Sequence, residues 1–148
     1  MKKLSENFTL EELTNSIAAK NLGIDNTPPA IAIACLRSLA INVLQPARDF
    51  IEAPITVSSG YRSPQLNKVL GGAKKSQHIT GEAADIVCFD NSLLFNFIRN
   101  QLEFDQLIWE FGTDEQPDWI HVSYSMSANR MEVLRAKKVG KKTVYNFI

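Results

Sequence analysis

The order of patterns along the chain predicts an α+β fold in which a small antiparallel sheet packs against N-terminal helices. Apolar residues recur at helical spacing over the first third of the sequence, whereas short alternating or β-branched runs follow residue 55. The connections are short, and no repeat, linker or low-complexity stretch interrupts them. Helices followed by closely spaced strands are typical of an antiparallel sheet. We therefore expect residues 1–148 to form a single domain.

Two helices are predicted at the N-terminal end. Thr9 and Glu12 have the spacing of a capping box, and the apolar residues that follow predict a first helix over residues 10–20. The double proline at residues 28–29 opens a second and longer apolar stripe. Pro46 lacks a backbone donor and lies inside this stripe, so we expect a long, bent helix.

The chain after residue 52 alternates between strand-like runs, turns and one helical segment. Strands are predicted over residues 55–58, 83–89, 106–111, 119–124, 132–136 and 143–147, and a helix over residues 93–102. Residues 71–75 are predicted to form a flexible loop, and Gly140 marks the turn between the last two strands. These short connections allow the strands to form one sheet.

Composition excludes some classes of partner. The charges of sixteen basic and sixteen acidic side chains cancel, so the formal net charge is zero. Net charge therefore gives no argument for binding nucleic acid, which usually requires a strongly basic face. The N-terminus turns polar before any apolar run develops, and no later segment is expected to span a bilayer. We expect a monomer that is cytoplasmic when made and has no membrane partner. Cys35 and Cys88 lie in apolar patterns, which predicts reduced thiols.

Both histidines of the chain lie in patterns that suit a catalytic zinc ion. Alternate residues of a strand share a face, so Asp85 and His121 on neighbouring strands would lie side by side. His78 precedes a glycine in a segment with turn character and could fold back over the same face. Two imidazoles and one carboxylate leave the fourth tetrahedral position of Zn²⁺ open for water. The alternative, for either histidine alone, is a structural residue in a partly apolar strand.

Two further side chains are candidates for catalysis. Asp118 is predicted to lean over the metal from the entrance of its strand, where a free carboxylate could act as general base. Glu110, at the end of another strand, is a competing base or a structural carboxylate. Arg62 is the candidate electrophile, because a guanidinium keeps its charge and can clamp a carboxylate or offset an oxyanion. Alternatively, Arg62 ties down its own turn.

Two other groups of polar residues are open to two interpretations. Ser76 and Gln77 either contact the substrate or shape the loop before His78. The lysines at positions 137, 138, 141 and 142 lie at the predicted turn of the last hairpin. They form either a solvated edge of the sheet or a surface for an anionic cell wall.

The motifs resemble, in content and order, the D-alanyl-D-alanine carboxypeptidase group of zinc peptidases, which shares a fold with lysostaphin-type enzymes and the hedgehog signalling domain. They occupy residues 58–63, 71–73, 76–85 and 117–123, with further likeness at residues 8–13 and 43–48. The resemblance implies that His78, Asp85 and His121 bind zinc, Asp118 is the general base and Arg62 holds or polarises the substrate. Many members carry glutamate where this chain has Asp118, so the shorter side chain would need a water bridge or a tighter site.

The function that the resemblance implies is metal-assisted hydrolysis of peptidoglycan stem peptides. A phage-type endopeptidase is favoured over a carboxypeptidase that trims a terminal D-alanine, because members with aspartate at position 118 resemble phage lysins. Such a lysin would be released by other means than an export signal, or the enzyme would process muropeptides in the cytosol. The rivals are a non-catalytic zinc module that binds peptide or cell wall, and a structural phage or prophage component.

Overall fold

Helices dominate the chain before residue 52 and strands dominate it afterwards. The computed structural model describes residues 2–148. Its helices are α1 (Leu10–Thr14), α2 (Ile17–Leu22), α3 (Ala30–Leu39), a π-helical segment (Ala40–Leu44), α4 (Gln45–Ile51), α5 (Pro64–Val69), α6 (Gln77–Thr80) and α7 (Asn91–Gln101). Its strands are β1 (Thr56–Ser59), β2 (Ala83–Val87), β3 (Gln106–Glu110), β4 (Trp119–Ser123), β5 (Glu132–Val139) and β6 (Lys142–Phe147). The predicted α+β class is confirmed.

The first predicted helix is divided into two. The Thr9 hydroxyl accepts a hydrogen bond from the Glu12 amide at 3.3 Å, and the Glu12 carboxylate accepts one from the Thr9 amide at 2.9 Å, as a capping box requires. The helix nevertheless ends at Thr14, because Ser16 caps a new helix through its own bond from the Ala19 amide at 3.1 Å. Local capping by serine thus outweighs the continuous apolar pattern.

The second predicted helix is continuous over residues 30–51, and it widens into the π-helical segment just before Pro46. A wider turn accommodates a residue that cannot donate to the preceding turn, which is the expected irregularity. By length and composition alone this helix could cross a membrane, with a mean hydropathy of 1.5, contrary to the sequence-based expectation. Its apolar stripe packs in the core, where Leu36 and Val43 are fully buried.

The sheet has the strand order β1-β2-β4-β3-β5-β6. Every neighbouring pair is antiparallel except β3 and β5, which are parallel, so the sheet is mixed rather than purely antiparallel. The parallel pair arises because the chain leaves the end of β4 and passes around the start of β3. It then enters β5 on the other side of β3, where Gln106 lies opposite Glu132.

The two faces of the sheet have different roles. One face packs on the helices and contributes Ala84, Ile86, Leu107, Trp109, Ile120 and Val122 to the main core. The alternate positions on the opposite face carry the polar side chains described below. Both cysteines are free thiols, as predicted, and burial raises the pKa of each.

Candidate metal centre and cleft

Three potential metal ligands converge on the open face of the sheet. Asp85 of β2 lies directly opposite His121 of β4, and α6 brings His78 over them. One oxygen of Asp85, Oδ1, is 3.1 Å from His121 Nδ1 and 3.4 Å from His78 Nε2. All three ligand atoms lie within 4.8 Å of one another. The structure therefore brings together the ligand set predicted from the sequence.

The orientation of His78 is fixed by the short helix that carries it. Ser76 caps α6 by accepting a hydrogen bond from the His78 amide at 3.2 Å, and Gly81 ends the helix with a φ of 78°. The ring Nδ1 donates to the carbonyl oxygen of Gly60 at 2.7 Å, so in the neutral ring Nε2 would carry the lone pair that a metal ion needs. A side chain at position 60 would collide with the Leu13 carbonyl. Only glycine therefore allows the chain at this position to pass so close to Leu13.

Asp85 is buried yet held in its charged form. Burial would raise its pKa, but hydrogen bonds and charge from His121 and His78 outweigh burial and hold the pKa of Asp85 well below its usual range. Its second oxygen, Oδ2, lies 3.5 Å from Nη2 of Arg62. Asp85 therefore presents one oxygen to the metal position and the other to a guanidinium.

Arg62 lines the cleft but is largely engaged within the protein. Its Nε donates to the Ser59 hydroxyl at 3.1 Å, and its Nη1 donates to Oδ1 of the Asn67 side chain at 3.3 Å. These bonds are in addition to the contact with Asp85. Arg62 thus combines features of both sequence-based alternatives, a cation that faces the cleft and a residue that ties down its own turn. Arg62 is fixed by its own turn, and this fixation aims it at a metal ligand.

Sequence reasoning missed two asparagines that hold this turn in place. Asn67 is 3% exposed, receives Arg62 and donates to the Ala73 carbonyl at 2.9 Å. Asn26 donates to the Tyr61 carbonyl at 3.1 Å and accepts from the Ser63 amide at 2.7 Å. No local pattern marks either residue, because Asn26 bonds residues 35 and 37 positions away and Asn67 bonds residues outside α5, on either side of it.

The structure does not bring Asp118 to the metal position, contrary to the sequence-based expectation. Pairing between β3 and β4 extends to Glu110 opposite Trp119, and Asp118 lies just before β4, with its amide donating to the Glu110 carbonyl at 2.9 Å. Asp118 is exposed and does not line the cleft.

Glu110 occupies the cleft instead. It is 7% exposed, lines the same cavity as the three ligands, and lies on the same face of the sheet as His121. Burial raises the pKa of Glu110 to about 7. The charge of His121 lowers this pKa and the charge of Asp85 raises it, but both effects are smaller than that of burial. A carboxyl with a pKa near neutrality can both accept and release a proton at working pH.

Ser76 and Gln77 both line the cleft and both have structural partners. Ser76 caps α6, and Gln77 donates to the carboxylate of Asp105 at 2.9 Å. Asp105 is 3% exposed and also receives two bonds from the Arg130 guanidinium, at 3.0 and 2.7 Å. These bonds lower the pKa of Asp105, so a charged, buried carboxylate joins α6 to the chain before β5.

The cleft has a volume of about 800 Å³ and two chemically different ends. Gln77, Gln106 and Arg130 line a polar end. Phe111, Trp119 and Tyr145 line the other end, next to Glu110, and are here called the aromatic end. The four lysines of the predicted basic cluster are exposed on the hairpin of β5 and β6 and do not line the cleft.

The donor set fits a zinc ion in an open, catalytic type of site. It offers two imidazole nitrogens and one carboxylate oxygen, which is a ligand combination that catalytic zinc sites use. The Gly60 carbonyl fixes the tautomer of His78, and Arg62 occupies the non-ligating oxygen of Asp85, as outer partners of metal ligands commonly do. All three donor residues line the cleft.

Comparison with known proteins identifies one family. A family model described as Peptidase M15 matches residues 6–123. A zinc D-Ala-D-Ala carboxypeptidase of Streptomyces albus G is 34% identical over 80 residues. That alignment covers 54% of this chain and 31% of the relative's length. The family match ends at the last residue of β4, before β5 and β6 begin.

Proposed function

The chain belongs to the Peptidase M15 family, and on that premise we propose that it is a zinc-dependent peptidase acting on the stem peptides of peptidoglycan. The observation that carries the proposal is the open ligand set of His78, Asp85 and His121 in one cleft with the buried carboxyl of Glu110. The substrate class is proposed from the motif resemblance together with the Streptomyces albus G relative, a zinc D-Ala-D-Ala carboxypeptidase. A module that only bound peptide would have no use for a buried carboxyl of near-neutral pKa.

The division of labour follows from the positions of the acidic groups. When bound, zinc would supply a Lewis acid that polarises the scissile carbonyl and acidifies water. Glu110 is the general base, because it alone combines a carboxylate, a place on the open face and a raised pKa. It takes the proton of the attacking water and returns it to the leaving amine. This role replaces the one expected for Asp118.

Arg62 acts first on the ligand set. Its contact with Oδ2 of Asp85 keeps that carboxylate from rotating, so Oδ1 stays between the two histidines. Its remaining N–H groups border the cleft, where they can stabilise negative charge that develops on the substrate oxygen. Asn67 is a positioning residue for Arg62.

We propose cleavage of an internal bond rather than removal of a terminal residue. A carboxypeptidase must bind the terminal carboxylate of its substrate, usually with a cation. Of the three cations that line the cleft, Arg62 is paired with Asp85 and Arg130 with Asp105, and Lys75 lies on the loop before α6. The aromatic end, on the side of Glu110, has no cationic lining residue. An uncharged, continuing peptide fits this arrangement better than a free carboxylate.

The test compares a free-acid stem pentapeptide with its C-terminal amide, using zinc-loaded and chelator-treated protein. We expect both peptides to be cleaved at an internal bond at similar rates, in a zinc-dependent manner, with the fragments identified by mass. Release of D-alanine as the sole product, with the amide inert, would overturn the endopeptidase assignment. Failure of the zinc-loaded protein to cleave either peptide or intact peptidoglycan would overturn the peptidase assignment itself.

A further inference from the structure

The open face of the sheet is arranged in two rows across the strands. One row runs through Asp85, His121, Ile108 and Leu134, which are paired in register. The next row runs through Trp119, Glu110, Ala136 and Tyr145, also in register. The metal ligands thus lie in the first row, whereas Glu110 lies in the second, between an aromatic residue of β4 and one of β6.

Phe111 closes this second row through an unusual backbone conformation. Its φ is +55°, in the left-handed region that non-glycine residues rarely adopt. Regular alternation would send Phe111 to the core face, but here its ring packs with the apolar cluster on the open face and lies 5.3 Å from the ring of Trp119. Strain of this kind is retained where the surrounding structure uses the resulting side-chain position.

Tyr145 forms the outer wall of the aromatic end. It belongs to β6, which lies outside the residues that the family model matches, and yet it lines the same cavity as the metal ligands. Its side chain keeps 53% of its surface exposed, so its ring is available to a ligand in the cleft. Burial raises the pKa of Tyr145, and the charges of Glu110 and Asp85 add to this.

We propose that Phe111, Trp119 and Tyr145 form a subsite for an aliphatic side chain of the substrate, and that Tyr145 is its specificity-determining residue. The inference rests on the proposed peptidase function. Glu110 returns the proton to the leaving amine, so the substrate residue beside it is the one that leaves. The side chain of that residue then meets the aromatic end.

The chemistry of the lining defines the ligand class. Apart from Glu110, the cleft-lining side chains in the second row and at its border are aromatic, and Leu134 adjoins them from the first row. A cation outside the cleft, Lys138, lies 5.5 Å from the centre of the Phe111 ring, donates to the Thr143 hydroxyl at 3.0 Å and does not line the cleft. An anionic side chain would therefore face Glu110 without a counter-charge, whereas an aliphatic one would lose only its contact with water.

The chain supplies a matched control on the same strand. Phe147 lies two residues after Tyr145 on the same face of β6, is 74% exposed, and does not line the cleft. Tyr145→Ala and Phe147→Ala thus remove an exposed aromatic ring from the same edge strand, but only the first removes one from the cleft. Unchanged zinc content and thermal midpoint would show that both variants are folded.

The experiment measures kcat and KM on three stem peptides that carry leucine, alanine or glutamate directly after the bond that the parent protein cleaves. In the parent we expect kcat/KM to fall in that order. Tyr145→Ala should raise KM for the leucine peptide about tenfold, the loss typical of a removed apolar contact, with kcat nearly unchanged. Discrimination among the three peptides should then collapse. Phe147→Ala should behave as the parent does, whereas Tyr145→Phe should keep the preference for the leucine peptide that Tyr145→Ala loses.

Two results would overturn the subsite. The first is equal kinetics for Tyr145→Ala and Phe147→Ala, because the ring would then contribute nothing to binding. The second is a loss in Tyr145→Phe as large as that in Tyr145→Ala, because the hydroxyl rather than the ring would then make the contact. Either result leaves the peptidase assignment intact, since that assignment fails only if the parent protein itself does not cleave.

Discussion

Replacing Glu110 with glutamine should remove turnover and leave the metal centre in place. The amide has nearly the same size as the carboxyl, so the buried site is neither emptied nor overpacked. It cannot accept a proton from water, however, and loss of a general base typically costs about 10²- to 10⁴-fold in rate. That range corresponds to about 3 to 5 kcal/mol of transition-state stabilisation. We expect the upper part of the range, because the ligand-lined cleft contains no other carboxyl in a comparable position among the described residues.

Asp118→Asn is the matched control for this variant. It makes the same chemical change at the other candidate base, but at an exposed position outside the cleft. The assay follows fragment release from a stem peptide by mass, together with zinc content per chain. Glu110→Gln should bind zinc as the parent does and turn over slowly, while Asp118→Asn should match the parent in both respects. The reverse order of the two variants would refute the assignment and restore the base expected from the sequence.

Two further predictions concern the metal ligands and the buried carboxyl. His78→Ala and His121→Ala should each lose bound zinc on dialysis, since either change leaves only two ligands; near-stoichiometric zinc in both variants, measured by metal analysis, would refute the ligand set. In the metal-free protein Glu110 should destabilise the fold as pH rises, because its folded pKa of about 7 exceeds its ordinary value of 4.5. The stability that it contributes is fully present below about pH 4.5 and is lost as pH rises through 7, a change of about 3 kcal/mol. Denaturant unfolding of metal-free parent and Glu110→Gln should therefore converge at low pH and favour the variant at high pH; a pH-independent difference would contradict the raised pKa.

The ligand set was predictable from the sequence because strand alternation and residue chemistry are both local properties. Asp85 and His121 each lie on a strand whose pattern fixes the face of the side chain, and only His78 depended on a segment without strand periodicity. The boundaries of α1 and the two-part first helix depended on competing caps, which apolar spacing does not reveal.

The choice of Glu110 as the proposed base rests on the tertiary structure. Asp118 and Glu110 are both acidic residues at strand ends, and the sequence does not say whether β4 is regular at its entrance. The register of β3 against β4 puts Glu110 opposite Trp119 on the open face, where it lines the cleft, whereas Asp118 is exposed and does not line the cleft. Register depends on hydrogen bonds between segments distant in sequence, and a shift of one residue exchanges the faces.

The residues that form the walls of the cleft could also be identified only from the tertiary structure. Asn26 and Asn67 fix the turn of Arg62, and Tyr145 reaches the cleft only because β5 pairs in parallel with β3 and carries β6 beside it. The sequence by itself determined which side chains could bind zinc, since that follows from residue type and local periodicity. The three-dimensional pairing of strands decided which carboxyl and which aromatic residues share the cleft, because such pairing is a non-local property of the whole chain.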